Sequence, residues 1–172
     1  MNTKPDQLLV VGSVAIDWII TPRDEREESV GGSATFFSMA ASYLSPVQLV
    51  GVVGHDFPDH AVDDLRQSGV DMEGLEVVSD GKTFRWKGKY HENMNDRDTL
   101  ETHLNCFEHF SPKLPDAYRS APNVFLANIQ PQLQLQVLEQ MASRPKFVGL
   151  DTMNLWIDIA ADELRAVLER ID

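Results

Sequence analysis

Hydrophobic positions along the chain fall in short blocks divided by small or polar residues. The first block, Leu8-Leu9-Val10-Val11-Gly12-Ser13-Val14, is unbroken rather than alternating, which predicts a strand buried on both faces of a parallel sheet. A second block of this kind is Val47-Gln48-Leu49-Val50-Gly51-Val52-Val53-Gly54. Between them Gly31-Gly32-Ser33 opens a segment from Ala34 to Leu44, rich in small and apolar residues nearly all round, which suits a helix buried against a sheet and ended by Pro46. Asp56-Phe57-Pro58-Asp59 offers acidic, cap-like residues ahead of a helix over His60–Gln67, with Ala61, Val62 and Leu65 on one face and Gly69 as its stop. Strand, helix, strand, helix is the rhythm of an α/β layered domain.

The middle of the chain follows a different period. Thr83-Phe84-Arg85-Trp86-Lys87-Gly88-Lys89-Tyr90-His91 alternates bulky and polar residues, the pattern of a half-exposed strand. Asn93–Asp98 is turn chemistry, and Thr99–Phe107 is expected to return as the partner strand. With the polar excursion Thr21–Val30, this hairpin is expected to form a flap over one end of the domain. The α/β rhythm then resumes. Strands are expected over Asn123–Ala127 and Phe147–Asp151, and helices over Gln130–Ala142 and Asp162–Ile171. A crossover helix delivers the chain to another strand, yet Ile171-Asp172 follows directly on the last helix, so the sheet is expected to be incomplete at the C-terminus.

Composition narrows the classes. Fifteen Lys and Arg stand against twenty-seven Asp and Glu, a formal net charge of −12, and no basic run is present. Nucleic-acid binding needs clustered cations and is not expected. No apolar run approaches a membrane span, and the start of the chain lacks the long apolar region of a signal peptide. Cys106 is the single cysteine, which fits a reducing cytoplasm. His103, Cys106 and His109 invite a zinc reading, but on a strand Cys106 points away from the two histidines, so no metal site is expected.

Several motifs, taken in order, resemble the N-terminal part of the ribokinase-like (PfkB) carbohydrate kinases. They are Val11-Gly12-Ser13-Val14-Ala15-Ile16-Asp17, then Gly31-Gly32-Ser33-Ala34 opening a helix, Val50–Pro58, and Leu65–Asp71 leading towards the lid. The resemblance covers Leu8 to Asp172. It implies a Rossmann-like, doubly wound, mainly parallel sheet with a small β lid, here a single α/β domain over residues 1–172 with lid segments near 21–30 and 83–107. A sugar or nucleoside would bind between sheet and lid. The family's strand-end Asp, which accepts from substrate hydroxyls, carries over to Asp17, and its Gly-Gly pair to Gly31 and Gly32. A carboxylate accepts from two hydroxyls at once, and glycine permits close backbone approach. Two polar sugar contacts of ribokinase fall on Ala15 and Phe36 here, so Phe36-Phe37 would make the pocket more apolar and favour a less polar partner than ribose.

The substrate-binding candidates are therefore Asp17, Gly31, Gly32, Ser33 and Phe36. Asn128, Asp151 and Asn154 join them, at or just beyond strand ends where open α/β sheets bind ligands. The family's Asn-x-x-Glu and Gly-Ala-Gly-Asp motifs are read nowhere in this chain. No catalytic residue is assigned, and the isolated chain is expected to be inactive and to bind neither ATP nor Mg2+, which the resemblance implies for the complete enzyme. The alternative is a non-catalytic ligand-binding or dimerisation module of the same fold, a homodimer forming through the β lid or the unfinished sheet edge. A different nucleotide-binding α/β fold is disfavoured, since neither a Gly-x-Gly-x-x-Gly turn nor a Walker sequence occurs. Phe84, Trp86 and Tyr90 share one face of their strand, most simply as packing, with stacking on a ligand ring as the second option.

Overall fold

The two unbroken apolar runs lie side by side in the interior of a parallel sheet. A computed structural model describes residues 6–172. In chain order its elements are β1 (Leu8–Val11), β2 (Ala15–Ile20), β3 (Glu25–Gly31), α1 (Ser33–Ser42), β4 (Val47–Gly54), α2 (Asp59–Gln67) and β5 (Val70–Val78). They continue with β6 (Phe84–Tyr90), β7 (Arg97–His103), a 3-10 turn at Asn105–His109, β8 (Asn123–Leu126), α3 (Pro131–Gln140), β9 (Phe147–Leu150), α4 (Asn154–Ile159) and α5 (Ala161–Leu168).

The first sheet has five strands in the order β5-β4-β1-β8-β9, all parallel. Its two faces carry separate cores. Leu9 and Val11 of β1, Val50 and Val52 of β4, and Val124 and Leu126 of β8 pack into one, with Val137 of α3 and Val167 of α5. Val10, Leu49, Val53 and Ala127 pack into the other, with Ala34 of α1 and Ala61 and Leu65 of α2. Alternate residues serving opposite cores is why these strands read as continuous apolar runs.

The second sheet has four strands in the order β3-β2-β6-β7. Here β2 runs antiparallel to β3 and parallel to β6, while β6 and β7 form the expected antiparallel hairpin. The segment after Val14 is thus not a continuation of β1: the chain leaves one sheet at Gly12-Ser13 and enters the other at Ala15.

The structure departs from the sequence expectations at several points. Val70–Val78 is an edge strand of the main sheet and not merely an approach to the lid. Its alternating exposure, broken by Gly74, hides it from a search for continuous apolar runs. The return strand stops at His103 rather than Phe107, because Leu104 is helical and Asn105 takes a left-handed φ of 51°. The Asn105 side chain then donates to the Thr83 carbonyl at 2.8 Å, fixing the turn. A short helix, α4, is one the sequence pattern does not predict, and α5 begins one residue early and ends at Leu168. The residues before α2 do not cap it: Pro58 occupies the N-cap, and Asp56 faces the second sheet instead.

That contact fastens the two sheets together. Asp56, just past the end of β4, accepts from the Thr83 amide at 2.7 Å and from the Arg85 guanidinium at 2.8 Å. Thr83 is fully buried and its hydroxyl accepts from the Gly54 amide at 3.0 Å. Gly54 must be glycine, since a Cβ there would overlap the backbone of Gly81 and Lys82. Burial of Asp56 opposes its charge, but the Arg85 guanidinium and the Thr83 amide outweigh it and hold the carboxyl down at about 2. The stabilisation is therefore complete above the ordinary carboxylate value and is lost as pH falls through about 2. Asp56→Ala is expected to lower stability at pH 7 by about 1–3 kcal/mol, leaving the Thr83 amide without its acceptor. In denaturant titrations the gap between variant and wild type should narrow steadily below pH 4; a pH-independent gap would show that the charge has no part in it.

Candidate functional site

β1 and β3 both run into small residues, which lets their connections approach each other closely. Gly31 closes β3 beneath the side chain of Asp17, and any Cβ there would overlap the Asp17 carboxylate. Gly32 has φ +96°, and a Cβ on it would overlap the backbone of Ser13 and Val14. Only glycine meets both demands of conformation and space at this position. These contacts give the Gly-Gly pair an internal reason to exist, alongside any close approach by a ligand.

The first turn of α1 carries no side-chain cap of its own. Ser13 serves instead, accepting from the Ser33 amide through its Oγ at 3.1 Å and from the Ala34 amide through its carbonyl at 3.0 Å. Ser13 was not among the expected site residues; its signal was the small residue following Gly12. The Ser33 hydroxyl lies 3.1 Å from Ser13 Oγ and donates to the Asn128 carbonyl at 3.2 Å. Asn128 Oδ1 in turn accepts from the Trp156 indole at 2.9 Å. One hydrogen-bonded chain thus joins the start of α1, the end of β8 and α4. Nothing in the sequence pattern pointed to Trp156.

Asp17 stands over Gly31, beside the turn from β3 into α1. Burial alone pushes its carboxyl up to about 6, with no hydrogen bond or cation to offset it. A half-buried carboxylate lacking partners is costly to a fold, which makes this group the strongest indicator of a binding function.

The remaining candidates are less convergent. Asp151 follows β9, its amide donating to Leu126 and its carbonyl accepting from Gln134. Gln134 is buried and its amide nitrogen also meets the carbonyls of Leu126 and Ala127, so it ties together the carboxyl ends of β8 and β9. Asn154 is exposed at the start of α4. Phe36 is 59% exposed, whereas Phe37 turns inward and stacks on Phe125 with ring centroids 3.5 Å apart. Of the two phenylalanines expected to make the pocket apolar, only Phe36 is exposed to solvent.

The two faces of the second sheet differ in chemistry. β2 and β6 pair without a register break, placing Asp17 beside Trp86 and Trp18 beside Lys87. On the Trp18 face the charges are satisfied internally. Lys87 Nζ sits 3.3 Å from the Trp18 ring centroid and 3.6 Å from Glu101, His103 contacts Glu101 at 3.2 Å, and Arg85 holds Asp56. A cavity of about 280 Å³ is lined largely by this face, including Ile16, Trp18, Arg85 and Lys87, and is bordered also by Asp17 and Trp86. On the other face Asp17 has no such compensation.

The Asn-x-x-Glu spacing does occur once, contrary to the sequence expectation, at Asn105-Cys106-Phe107-Glu108. It forms the 3-10 turn after β7, where Asn105 is committed to Thr83, so it serves the junction of the sheets. Among the described residues no group of three His, Cys, Asp or Glu is placed to hold a metal ion. Among the same residues no helix is long and apolar enough to cross a membrane.

A five-stranded parallel sheet flanked by helices and carrying a four-stranded lid-like sheet is the ribokinase-like fold. The chain is 29% identical over 167 residues to a cytidine kinase of Thermococcus kodakarensis, a match covering 96% of this chain and 59% of that protein. It is similar in structure to ribokinase from Cryptococcus neoformans var. grubii serotype A in complex with ADP, with a TM-score of 0.70 and 18% identity over 89% of this chain and 51% of the other. A nucleoside kinase of Burkholderia thailandensis in complex with inosine gives a TM-score of 0.70 and 18% identity, over 95% and 58% of the two chains. No family model matches the sequence. The chain thus spans about 59% of the length of the curated relative it matches.

The strain at Asp17 is open to measurement. Its carboxyl rises from an ordinary value of 3.8 to about 6 on folding, so the folded state loses stability as pH climbs between those values and bears the full cost above about 6. Asp17→Asn is expected to stabilise the protein by about 1–2 kcal/mol at pH 7.5, allowing for partial solvent access, and to have little effect at pH 3.5. Thermal melts at the two pH values distinguish this from a structural carboxylate, whose loss would destabilise at neutral pH.

Proposed function

We propose that the junction of the two sheets binds a hydroxyl-bearing small molecule, a sugar or nucleoside, as the phosphoryl acceptor of an ATP-dependent kinase of the ribokinase-like fold. The observation that carries this reading is the uncompensated carboxylate of Asp17, held against Gly31 on the face of the second sheet opposite Trp18. Two vicinal hydroxyls would donate to its two oxygens, supplying the hydrogen bonds that the protein withholds. Gly31 keeps the floor beneath that carboxylate free of side chain, and the Ser13–Ser33–Asn128 chain fixes the start of α1 beside it. Asp17 is assigned to holding the acceptor rather than to removing its proton. Phe36, Asp151 and Asn154 are assigned outer positions around the ligand. The cytidine kinase and the inosine complex among the similar proteins support an acceptor of this class. ATP with Mg2+ is the phosphoryl donor this reading assigns to the whole enzyme, and a reducing cytoplasm its setting, in keeping with the one free cysteine.

A second reading, a ligand-binding module that pairs with a copy of itself, draws on the edge strand β7, every residue of which is exposed; the edge of β9 is less available, since Asp172 engages both the amide and the carbonyl of Val148. It shares the Asp17 site with the first reading and differs in assigning no transfer of phosphate.

Calorimetric titration of the chain with D-ribose, cytidine and inosine tests the site. At least one should bind, and Asp17→Ala should weaken that binding about 10- to 100-fold, the range for hydrogen bonds to a charged group. Hydroxyl donors favour the charged carboxylate, so affinity should also fall as pH drops below about 6. Equal binding by Asp17→Ala would remove this residue from the site.

A further inference from the structure

Trp86 is the neighbour of Asp17 across the β2–β6 pair, and its indole is laid down on the same face of the sheet. Alternation along both strands places Asp17 and Ile19 with Trp86 and Gly88 on one side, and Trp18 with Lys87 on the other. The indole extends along β6 over Gly88, where any Cβ would overlap the six-membered ring. Its N–H is already committed to Thr99 Oγ1 at 3.1 Å. The Arg97 guanidinium stands 5.9 Å from the ring centroid. Missing side chain below, a hydrogen bond at one edge and the Arg97 guanidinium standing off over the outer face hold the ring flat and leave Trp86 only half-buried. Simple core packing does not call for this arrangement, since the ring is pinned outside both hydrophobic cores.

We infer that Trp86 is a specificity-determining residue that stacks against the base of a nucleoside whose sugar hydroxyls are held by Asp17. Position selects the base over the sugar. Neighbouring strands are about 4.8 Å apart, and two residues along a strand is about 6.6 Å, so a ring spread from Trp86 to Gly88 lies beyond the atoms that reach the Asp17 carboxylate. A pentose bound through its hydroxyls ends short of the indole, whereas a planar substituent on its anomeric carbon extends across it. Stacking on an aromatic face tolerates any base, because every base offers a π surface. The Trp18 face offers no equivalent, as Lys87 Nζ rests directly on that ring at 3.3 Å, whereas the Arg97 guanidinium stands off from Trp86 at 5.9 Å.

This inference rests on the sugar-or-nucleoside reading of the Asp17 site, and the test separates the two. Cytidine, inosine and D-ribose are titrated into wild type, Trp86→Phe, Trp86→Leu, Trp86→Ala and, as a control on the opposite face, Trp18→Phe. Trp86→Ala and Trp86→Leu should raise Kd for the nucleosides about 5- to 100-fold and change that for ribose by less than about 2-fold. Trp86→Phe should recover most of the loss, and Trp18→Phe should match wild type. Leucine preserves apolar volume, so it also guards against a trivial folding defect in the alanine variant. Nucleoside affinities in Trp86→Leu equal to those of Trp86→Phe would overturn the role of Trp86 while leaving the Asp17 site intact. Failure of all three compounds to bind wild type would remove the site itself and the stacking role with it.

Discussion

A carboxylate kept from water and given no partner is the constraint around which this fold is arranged. Asp17 projects from β2 over Gly31, and burial alone lifts its carboxyl to about 6. Its neighbours are explained by the need to hold that position. Gly31 has no side chain because the carboxylate occupies the space one would need. Gly32 adopts a positive φ so that the chain can turn from β3 into α1 without striking Ser13. Ser13 meets the first amides of the helix, and Ser33 extends the contact to the end of β8. A satisfied hydrogen-bond network beside one carboxylate left without a partner is an arrangement that a purely structural core avoids.

The second sheet shows the same economy on a larger scale. On one face, cation–π contact, ion pairs and the Asp56 anchor satisfy nearly every charge from within the chain. On the other, Asp17 stands uncompensated beside a tryptophan ring fixed flat on glycine. Because Asp56, Thr83 and Gly54 lock the base of this sheet to the end of β4, the Asp17 face is presented by a fastened element rather than a loose flap. Fixed geometry lowers the ordering cost of binding and leaves more of the contact energy for affinity.

Much of this was legible along the chain. Runs such as Leu8–Val14 and Val47–Gly54 are apolar at successive positions only because alternate residues feed two different cores, and the parallel sheet follows from that. The alternation of Phe84–Tyr90 likewise announced a separate, half-exposed sheet. Less legible were elements whose sequence serves two demands at once. β5 is an edge strand whose polar positions mask its place in the main sheet. The β7 strand ends early because Asn105 is needed to close the turn against Thr83, a contact twenty-two residues away. Asp56 resembled a helix cap by spacing, yet its partners lie in another sheet. Asp17 and the glycine pair were singled out by the family resemblance of their motifs, and the structure brings them into contact, while Trp156 and Gln134 act through contacts that no sequence spacing records.

The most direct measurement is the protonation of Asp17 itself, followed by carbon-13 NMR of the side-chain carboxyl as pH is varied, with and without cytidine. In the free protein the carboxyl should titrate near 6, well above the ordinary 3.8, and ligand hydroxyls donating to the charged form should draw the titration back down. A carboxyl that titrates near its ordinary value, or one left unmoved by a nucleoside that demonstrably binds, would contradict a site built on an unsatisfied Asp17.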